Sequence, residues 1–284
     1  MKVLIFGASG FLGTKLVDYF SKENTVFGTG QENSTDRIFA LDATNPAEID
    51  HIIYTVKPDL VINTIGVTNS LECEKNPLLA EKVNFLAAKK VSDISKKIGA
   101  KQVFISSSYV FEGNKGNYTE EDLPTPQTKY GQTKLMAEKA VLSNEGIVIR
   151  VDVMYGFNGI EKPNGVLGKV IKNNILEERN PNQKRTPLFI DDLPEIIFKL
   201  VSKNASGIFH VGGPDSMDMY SFLNLLKEVA GSPVQIVRVD DPHALVKPPQ
   251  NATISIQKIN QLGIKTTSLE KGLLILKEQL NNFR

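Results

Sequence analysis

Tryptophan is missing from this chain of 284 residues, cysteine occurs once and histidine three times. The lone thiol, Cys73, excludes an intrachain disulfide and any metal centre built from several thiolates, and it suits a reducing compartment. His51, His210 and His243 are scattered without metal-ligand spacing, so no metal is expected. Excess charge of either sign is missing too. Lys and Arg number 33 against 32 for Asp and Glu, a net charge of +1, which removes the overall pull expected toward nucleic acid or an anionic membrane. No apolar run approaches the ~20 residues of a membrane span. The apolar start, residues 3–6, stops at Gly7, too short for the core of a secretory signal. A soluble, cytoplasmic protein is expected.

What the chain does have is a glycine turn at its start. Residues 1–6 read as a buried strand that runs into Gly7-Ala8-Ser9-Gly10-Phe11-Leu12-Gly13 and then a helical pattern through Phe20. Such a turn cradles phosphate. Gly7 permits the tight turn, Gly10 lets a pyrophosphate approach the backbone, Gly13 lets helix and strand pack closely, and unpaired helix N–H groups meet the negative charge. Ser9, Phe11 and Leu12 belong to the same cradle. Further along, strand-like runs at 25–29, 60–64, 102–106 and 146–153 alternate with helical patterns at 47–56, 79–98 and 129–142. That alternation predicts an α/β fold with a doubly wound parallel sheet, the Rossmann arrangement, and a ligand at the carboxyl ends of the strands.

After Tyr155-Gly156 the pattern changes to a loop-rich stretch with one helix near 166–176. A strand at 208–211 and amphipathic helices at 219–230 and 269–280 follow. The organisation expected is a dinucleotide-binding domain over 1–156 with a returning segment near 186–212. A smaller, interleaved C-terminal substrate domain is expected over 157–185 and 213–284.

The end of the second strand, Val26-Phe27-Gly28-Thr29-Gly30-Gln31, carries no acid. Without a carboxylate there to repel a 2′-phosphate, NADP(H) is favoured over NAD(H), with Thr29, Ser34 and Arg37 as candidate neighbours. Glu32 sits close by, and Arg37 as a plain surface charge stays open. Asp42 and Ala43 follow another short strand, where Asp42 flanks the adenine or caps the helix near Ala47. Asp192, with Pro194 and Glu195, reads as a helix start capped by Asp192, and Asp218 as a second cap. His210 inside its strand reads as a satisfied core residue, and Cys73 as a small buried hydrophobe.

Chemistry enters with Tyr130-Gly131-Gln132-Thr133-Lys134, whose i, i+4 spacing puts phenol and ammonium on one helix face. A cation beside a phenol lowers its pKa toward the working range, so Tyr130 can protonate a carbonyl oxygen while Lys134 holds a cofactor ribose. Upstream, Ser106-Ser107-Ser108-Tyr109-Val110-Phe111 is a strand running out into hydroxyls, one of which can bond the same oxygen.

Together with the glycine turn, these segments resemble the extended short-chain dehydrogenases/reductases, and within them most closely the dTDP-4-dehydrorhamnose reductase group. Asn63-Thr64-Ile65-Gly66-Val67-Thr68, Val83-Asn84, the segment from Arg150 to Gly156 and Lys247-Pro248-Pro249-Gln250-Asn251 extend the likeness over nearly the whole chain. The resemblance implies reduction of the 4-keto group of a nucleotide-diphospho-4-keto-6-deoxyhexose for cell-surface polysaccharide precursors. It places the catalytic hydroxyl on Ser107, with Tyr130 and Lys134. Asn63, Thr64, Ile65, Gly66, Asn84 and Ser106 fall beside the cofactor, and Thr68, Tyr109 and Val153 face the sugar. Of the basic residues Lys162, Lys169, Lys172, Arg179, Lys184 and Arg185, Arg185 is chosen, with Lys247, to meet a diphosphate.

Departures narrow the reading. Ser107-Ser108 replaces the group's Thr-Asp, keeping the hydroxyl, and Val153 stands where the group has Trp. Ser108 and Tyr109 cannot supply the acid and base that sugar 4,6-dehydratases use, so dehydration is disfavoured. Two alternatives stay open. One is a cofactor-binding regulatory subunit like that of methionine adenosyltransferase, and the other is a nucleotide-sugar 4-epimerase using the same triad. A homodimer is equally open.

Overall fold

In β1 (Lys2–Phe6), Val3 and Ile5 turn to one face and Leu4 and Phe6 to the other, and all four are fully buried. Period-two side chains apolar on both faces require a sheet covered on both sides. The structure is a computed structural model that describes residues 1–31, 37–159, 165–172, 174–178, 180, 182–239 and 245–283.

From β1 the chain runs through α1 (Phe11–Phe20), β2 (Thr25–Gly30), β3 (Ile38–Ala40), α2 (Pro46–Val56) and β4 (Leu60–Asn63). Short helices α3 (Ser70–Lys75) and α4 (Pro77–Ala80) lead to a wider π turn, Glu81–Leu86, and then α5 (Ala87–Lys97) and β5 (Lys101–Ser107). After a 3₁₀ turn, Ser108–Val110, come α6 (Lys129–Ser143), β6 (Ile147–Val151), β7 (Met154–Tyr155), α7 (Gly165–Lys172), β8 (Ile175–Glu178), β9 (Lys184–Arg185) and β10 (Leu188–Phe189). The remainder is α8 (Asp192–Ser202), β11 (Gly207–Val211), β12 (Met217–Asp218), α9 (Met219–Ala230), β13 (Gln235–Arg238), α10 (Gln257–Gln261) and α11 (Leu269–Phe283).

Seven strands pair in parallel in the order β11-β6-β5-β4-β1-β2-β3, the doubly wound α/β arrangement. The winding reverses between β1 and β4, so the crevice at their carboxyl ends is where this topology receives a ligand. Leu12, Leu16 and Phe20 of α1 and Leu193, Ile197 and Leu200 of α8 cover the face carrying Val3 and Ile5. Ile49, Ile53 and Val56 of α2 and Val91 and Ile94 of α5 cover the opposite one. Each such side chain contributes about 1.5–3 kcal/mol on burial.

A second core lies beyond the sheet, where Tyr155, Phe157 and Phe189 pack with Leu167 of α7, Phe222 and Leu226 of α9, and Leu273 and Leu276 of α11. Here the structure corrects two expectations. The helix expected over 166–176 stops at Lys172, and Ile175–Glu178 instead forms β8, paired in parallel with β13. A partner strand far along the chain overrides the local helical pattern. The helix expected over 79–98 is interrupted by the π turn that carries Asn84. No helix among the described residues is long and apolar enough to cross a membrane.

Candidate active site

The glycine turn opens the crevice. Gly7 has φ +83°, and a Cβ there would stand 2.6 Å from Thr64 Oγ1. At Gly13 a Cβ would collide with the Gly7 carbonyl and the Ala8 backbone, so only glycine lets α1 lie this close to β1. The N-terminus of α1 has Gly10 at its cap, no side-chain cap and no acid in its first turn. Its orphan N–H groups therefore keep their need for an acceptor, which suits a diphosphate. Gly7, Ser9, Gly10, Phe11 and Leu12 line a cavity of ≈ 1210 Å³, whereas Gly13 is buried behind them.

Past the ends of β2 and β3 the cavity is lined by Thr29, Gly30, Gln31, Leu41, Asp42, Ala43 and Thr44. Thr29 accepts from Gly7 N through Oγ1 at 3.2 Å, which ties β2 to the turn. Asp42 accepts from Thr44 N and Oγ1, both at 2.8 Å, and these bonds hold its carboxyl below the usual range. It does not cap α2. That role falls to Asn45, whose Oδ1 accepts from Ala47 N at 3.1 Å. Arg37 is exposed and does not line the cavity, contrary to its expected place beside the cofactor. Its carbonyl accepts from Gly28 N, which pins β3 to β2 with the side chain outside. Ser34, Glu32, Lys162, Arg179 and His243 lie outside the described residues.

Beyond β4, Thr64, Ile65, Gly66, Val67 and Thr68 form the next stretch of wall. Asn63 and Asn84 are buried behind it rather than facing the cavity. Asn63 Oδ1 accepts from Ile65 N at 3.0 Å. Asn84 accepts from Val67 N at 2.7 Å and donates to Val67 O and Thr133 Oγ1, both at 3.1 Å, fastening this loop to α6. Cys73 is fully buried nearby, with its thiol on the Val67 carbonyl at 3.3 Å and its pKa pushed up to about 11 by burial.

The opposite wall brings together residues far apart in sequence: Ser106 and Ser107 of β5, Tyr109 of the 3₁₀ turn, and Tyr130 and Lys134 of α6. Thr128 caps α6 through Gly131 N at 3.1 Å, and a Cβ at Gly131 would strike the Tyr109 carbonyl. Glycine between Tyr130 and Gln132 is thus what lets the 3₁₀ turn meet the helix. Tyr130 is half-buried and lines the cavity. Burial pushes that phenol up to about 12, against a hydrogen bond with Ser107 that acts the other way. Lys134 Nζ donates to the Ile105 carbonyl and lies 4.0 Å from the Phe104 ring centroid. Burial brings its pKa down to about 7. The expected lowering of the phenol by this ammonium is therefore not what the protein alone produces, because desolvation dominates both groups.

Further along the crevice Thr68, Tyr109, Val153 and Arg185, the residues expected to meet the substrate, line the cavity together with Asp152, Gln183, Met219 and Pro248. Lys247 does not line it, contrary to its expected place at a diphosphate, and its neighbour Pro248 does. Arg185 is buried and gives its donors to protein groups, Gln183 Oε1 at 2.6 Å, Pro249 O at 3.0 Å and Lys184 O at 3.0 Å, and its Nε is ion-paired with Asp152 Oδ1 at 3.6 Å. Its guanidinium also stacks 5.4 Å from the Tyr109 ring, whose edge meets Tyr130 at 5.6 Å. Asp152 accepts from Ser108 Oγ at 2.9 Å and Thr186 N at 2.7 Å. Neither Asp152 nor Glu138, which accepts from Ser106 Oγ, stood out in the sequence. The available signal was spacing, since Glu138 repeats the four-residue step from Tyr130 to Lys134.

Two other expectations resolve at the edge of the site. Asp192 does not cap α8. Its carboxylate accepts from Thr267 N and Oγ1, both at 2.7 Å. His210 is fully buried and paired, 3.0 Å from Tyr118 O and 3.4 Å from Arg150 Nη1. Among the described residues no three His, Cys, Asp or Glu side chains gather as a metal would require.

Comparison with known proteins places this geometry. The family model described as RmlD substrate binding domain matches residues 1–282. The chain is 30% identical to Methionine adenosyltransferase 2 subunit beta of Xenopus laevis, over 93% of this chain and 83% of that one. It is 28% identical to the Spore coat polysaccharide biosynthesis protein SpsK of Bacillus subtilis, over 96% and 95% of the two chains. The crystal structure of dTDP-4-dehydrorhamnose reductase from Bacillus anthracis in complex with NADP superposes with a TM-score of 0.84 at 25% identity, covering 98% of this chain and 99% of that one. With the parallel sheet, the glycine turn and a family match over almost its full length, the chain belongs to the RmlD-like group of extended short-chain dehydrogenases/reductases.

Proposed function

We propose that the protein is a nicotinamide-dependent oxidoreductase that reduces the 4-keto group of a nucleotide-diphospho-4-keto-6-deoxyhexose, with NADPH as the preferred reductant. The observation that carries this reading is that the glycine turn and Ser107, Tyr130 and Lys134 line one cavity. At ≈ 1210 Å³ that cavity exceeds the ~300–1,000 Å³ of a pocket for one small ligand, which suits a dinucleotide and a sugar side by side. Gly7, Gly10 and the uncapped start of α1 would hold the diphosphate, Asp42 and Ala43 the adenosine end, and Lys134 the nicotinamide ribose. The residues 1–156 with 186–212 serve the cofactor, and 157–185 with 213–284 cover the sugar. The NADP-bound relative and the lack of an acid at the end of β2 support NADPH.

When bound, the dinucleotide supplies hydride to the carbonyl carbon. Tyr130 supplies the proton. A phenol held up near 12 stays protonated at neutral pH, so the acid is loaded before each turnover. Ser107, bonded to Tyr130, donates to the same carbonyl oxygen and fixes its position as charge develops. Tyr109, set between the Arg185 guanidinium and the Tyr130 ring, forms a wall against which the sugar ring is oriented.

A second reading has its own support in the Methionine adenosyltransferase 2 subunit beta relative, which matches 93% of this chain. On that reading the protein keeps the fold and binds a dinucleotide as a regulatory subunit. Purified protein incubated with NADPH or NADH and a panel of dTDP-, UDP- and GDP-4-keto-6-deoxy sugars separates the two, with products identified by mass spectrometry. Consumption of NADPH with one panel member supports reduction. Inactivity on the whole panel, with a catalytic partner retained through purification, supports the regulatory role.

A further inference from the structure

Beneath the cavity wall, α6 is fastened to β5 by three rungs. Tyr130 meets the Ser107 hydroxyl, Lys134 Nζ donates to the Ile105 carbonyl, and Ser106 Oγ donates to Glu138 Oε1. Tyr130, Lys134 and Glu138 recur at four-residue spacing and form one ridge of the helix. Their rungs land on three consecutive strand residues.

The third rung carries a charge. Glu138 is 1% exposed, and a buried carboxylate is costly without a counter-charge. Arg150 of β6, also 1% exposed, supplies one through a forked pair, Nε to Oε1 at 2.9 Å and Nη2 to Oε2 at 2.7 Å. Its Nη1 reaches His210 Nε2, and its guanidinium lies 5.0 Å from the Phe111 ring centroid. The His210 pKa is driven down to about 3 by burial and by Arg150, so the ring is neutral. Nδ1–H then donates to Tyr118 O, which leaves Nε2 to accept from Arg150. Arg150 is thereby held from behind, and Glu138 has one orientation.

A buried ion pair adds little stability over well-packed apolar side chains of the same volume. Its place one helical turn from Lys134 gives it another use. The groups facing Lys134 are Tyr130 and Glu138 from its own helix. From β5 come the Phe104 ring and the Ile105 carbonyl, while the Ser106 hydroxyl is turned to Glu138. Arg150 of β6 is turned into Glu138, and the Cys73 thiol of α3 acts on Tyr130. Burial pulls the lysine toward neutrality, and among the described residues Glu138 is the charge that opposes it.

We propose that Glu138 is a positioning residue for Lys134: its carboxylate, locked by Arg150 and Ser106 one helical turn away, holds the lysine ammonium directed at β5 beside Tyr130. The consequence for turnover rests on the oxidoreductase reading, and the effect on the lysine does not. Lys134 can be followed directly by ¹³C NMR of the full chain labelled at lysine Cε, its signal assigned by its loss in Lys134→Met. Glu138→Gln keeps the shape of the side chain and a partner for Ser106. In it the titration midpoint of Lys134 is expected to fall by about one unit or more. Glu138→Gln combined with Arg150→Met removes both buried charges, so that no unpaired guanidinium threatens the fold, and the midpoint should fall in the same direction. A midpoint unmoved in either folded variant overturns the proposal. With a turned-over sugar, the alkaline limb of kcat/KM should move to lower pH in step with the lysine. A rate lowered equally at every pH marks a mechanical brace and also overturns it. A shifted midpoint in a protein that reduces no sugar sinks the oxidoreductase reading while supporting this one.

Discussion

The two ends of the cavity are built from different materials. The end proposed for phosphate is backbone: a glycine with positive φ, a second glycine against which no side chain fits, and a helix start left without a cap. The end proposed for catalysis is side chains, with Lys134, Glu138 and Arg150 buried together and Arg185 stacked on Tyr109 and ion-paired with Asp152. Backbone sites are set by steric limits and tolerate almost no added atom. Side-chain sites are set by desolvation and pairing, so their failures appear first in rate and pH dependence rather than in folding.

The contrast is broken hardest at Tyr130. Tyr130→Phe keeps the ring against Tyr109 and removes the proton, and turnover should fall by about 10²–10⁴-fold with NADPH affinity little changed, as stopped-flow and fluorescence titration would report. Next comes pH. On the proposed mechanism Lys134 works as the ammonium, so activity should be full below its pKa and lost above it. With that pKa near 7, kcat/KM should decline about tenfold per unit on the alkaline side, with no limb from Tyr130 until near 12. At the other end, Gly13→Ala forces the Gly7 carbonyl and Ala8 apart and should cost about 1–3 kcal/mol in thermal melts, together with dinucleotide binding. Asp152→Asn should spare the dinucleotide and raise the sugar KM by about tenfold, since it weakens charge-assisted bonds that hold Arg185 and Thr186. The smallest effect is expected at Arg37. Because its side chain lies outside the cavity, Arg37→Ala should change the Kd for NADPH by no more than about twofold.

The same contrast explains what was legible in the sequence. Strand, glycine turn and helix are neighbours along the chain, so residues 2–20 show their structure in spacing alone. The alternation of strands and helices gave the parallel sheet for a similar reason, since each element is patterned by its own burial. The segment 175–178 shows a helical pattern but pairs as a strand, because its partner β13 is remote and pairing decides what periodicity does not. Asp42 and Asp192 have the composition of caps, but their carboxylates turn to Thr44 and Thr267. Glu138 was invisible as a charge because its counter-ion comes from the neighbouring strand, and Lys247 was misplaced because Pro248 turns toward the cavity in its stead.

The most direct test of one cavity serving both ends is isotope transfer. Protein given NADPH deuterated at C4 of the nicotinamide ring, together with the 4-keto sugar that the panel identifies, should place deuterium on sugar carbon 4 in a single turnover. Tyr130→Phe should place almost none in the same time. Deuterium appearing at the wild-type rate in Tyr130→Phe would contradict the account, because the proton donor and the hydride acceptor would then not share the site described.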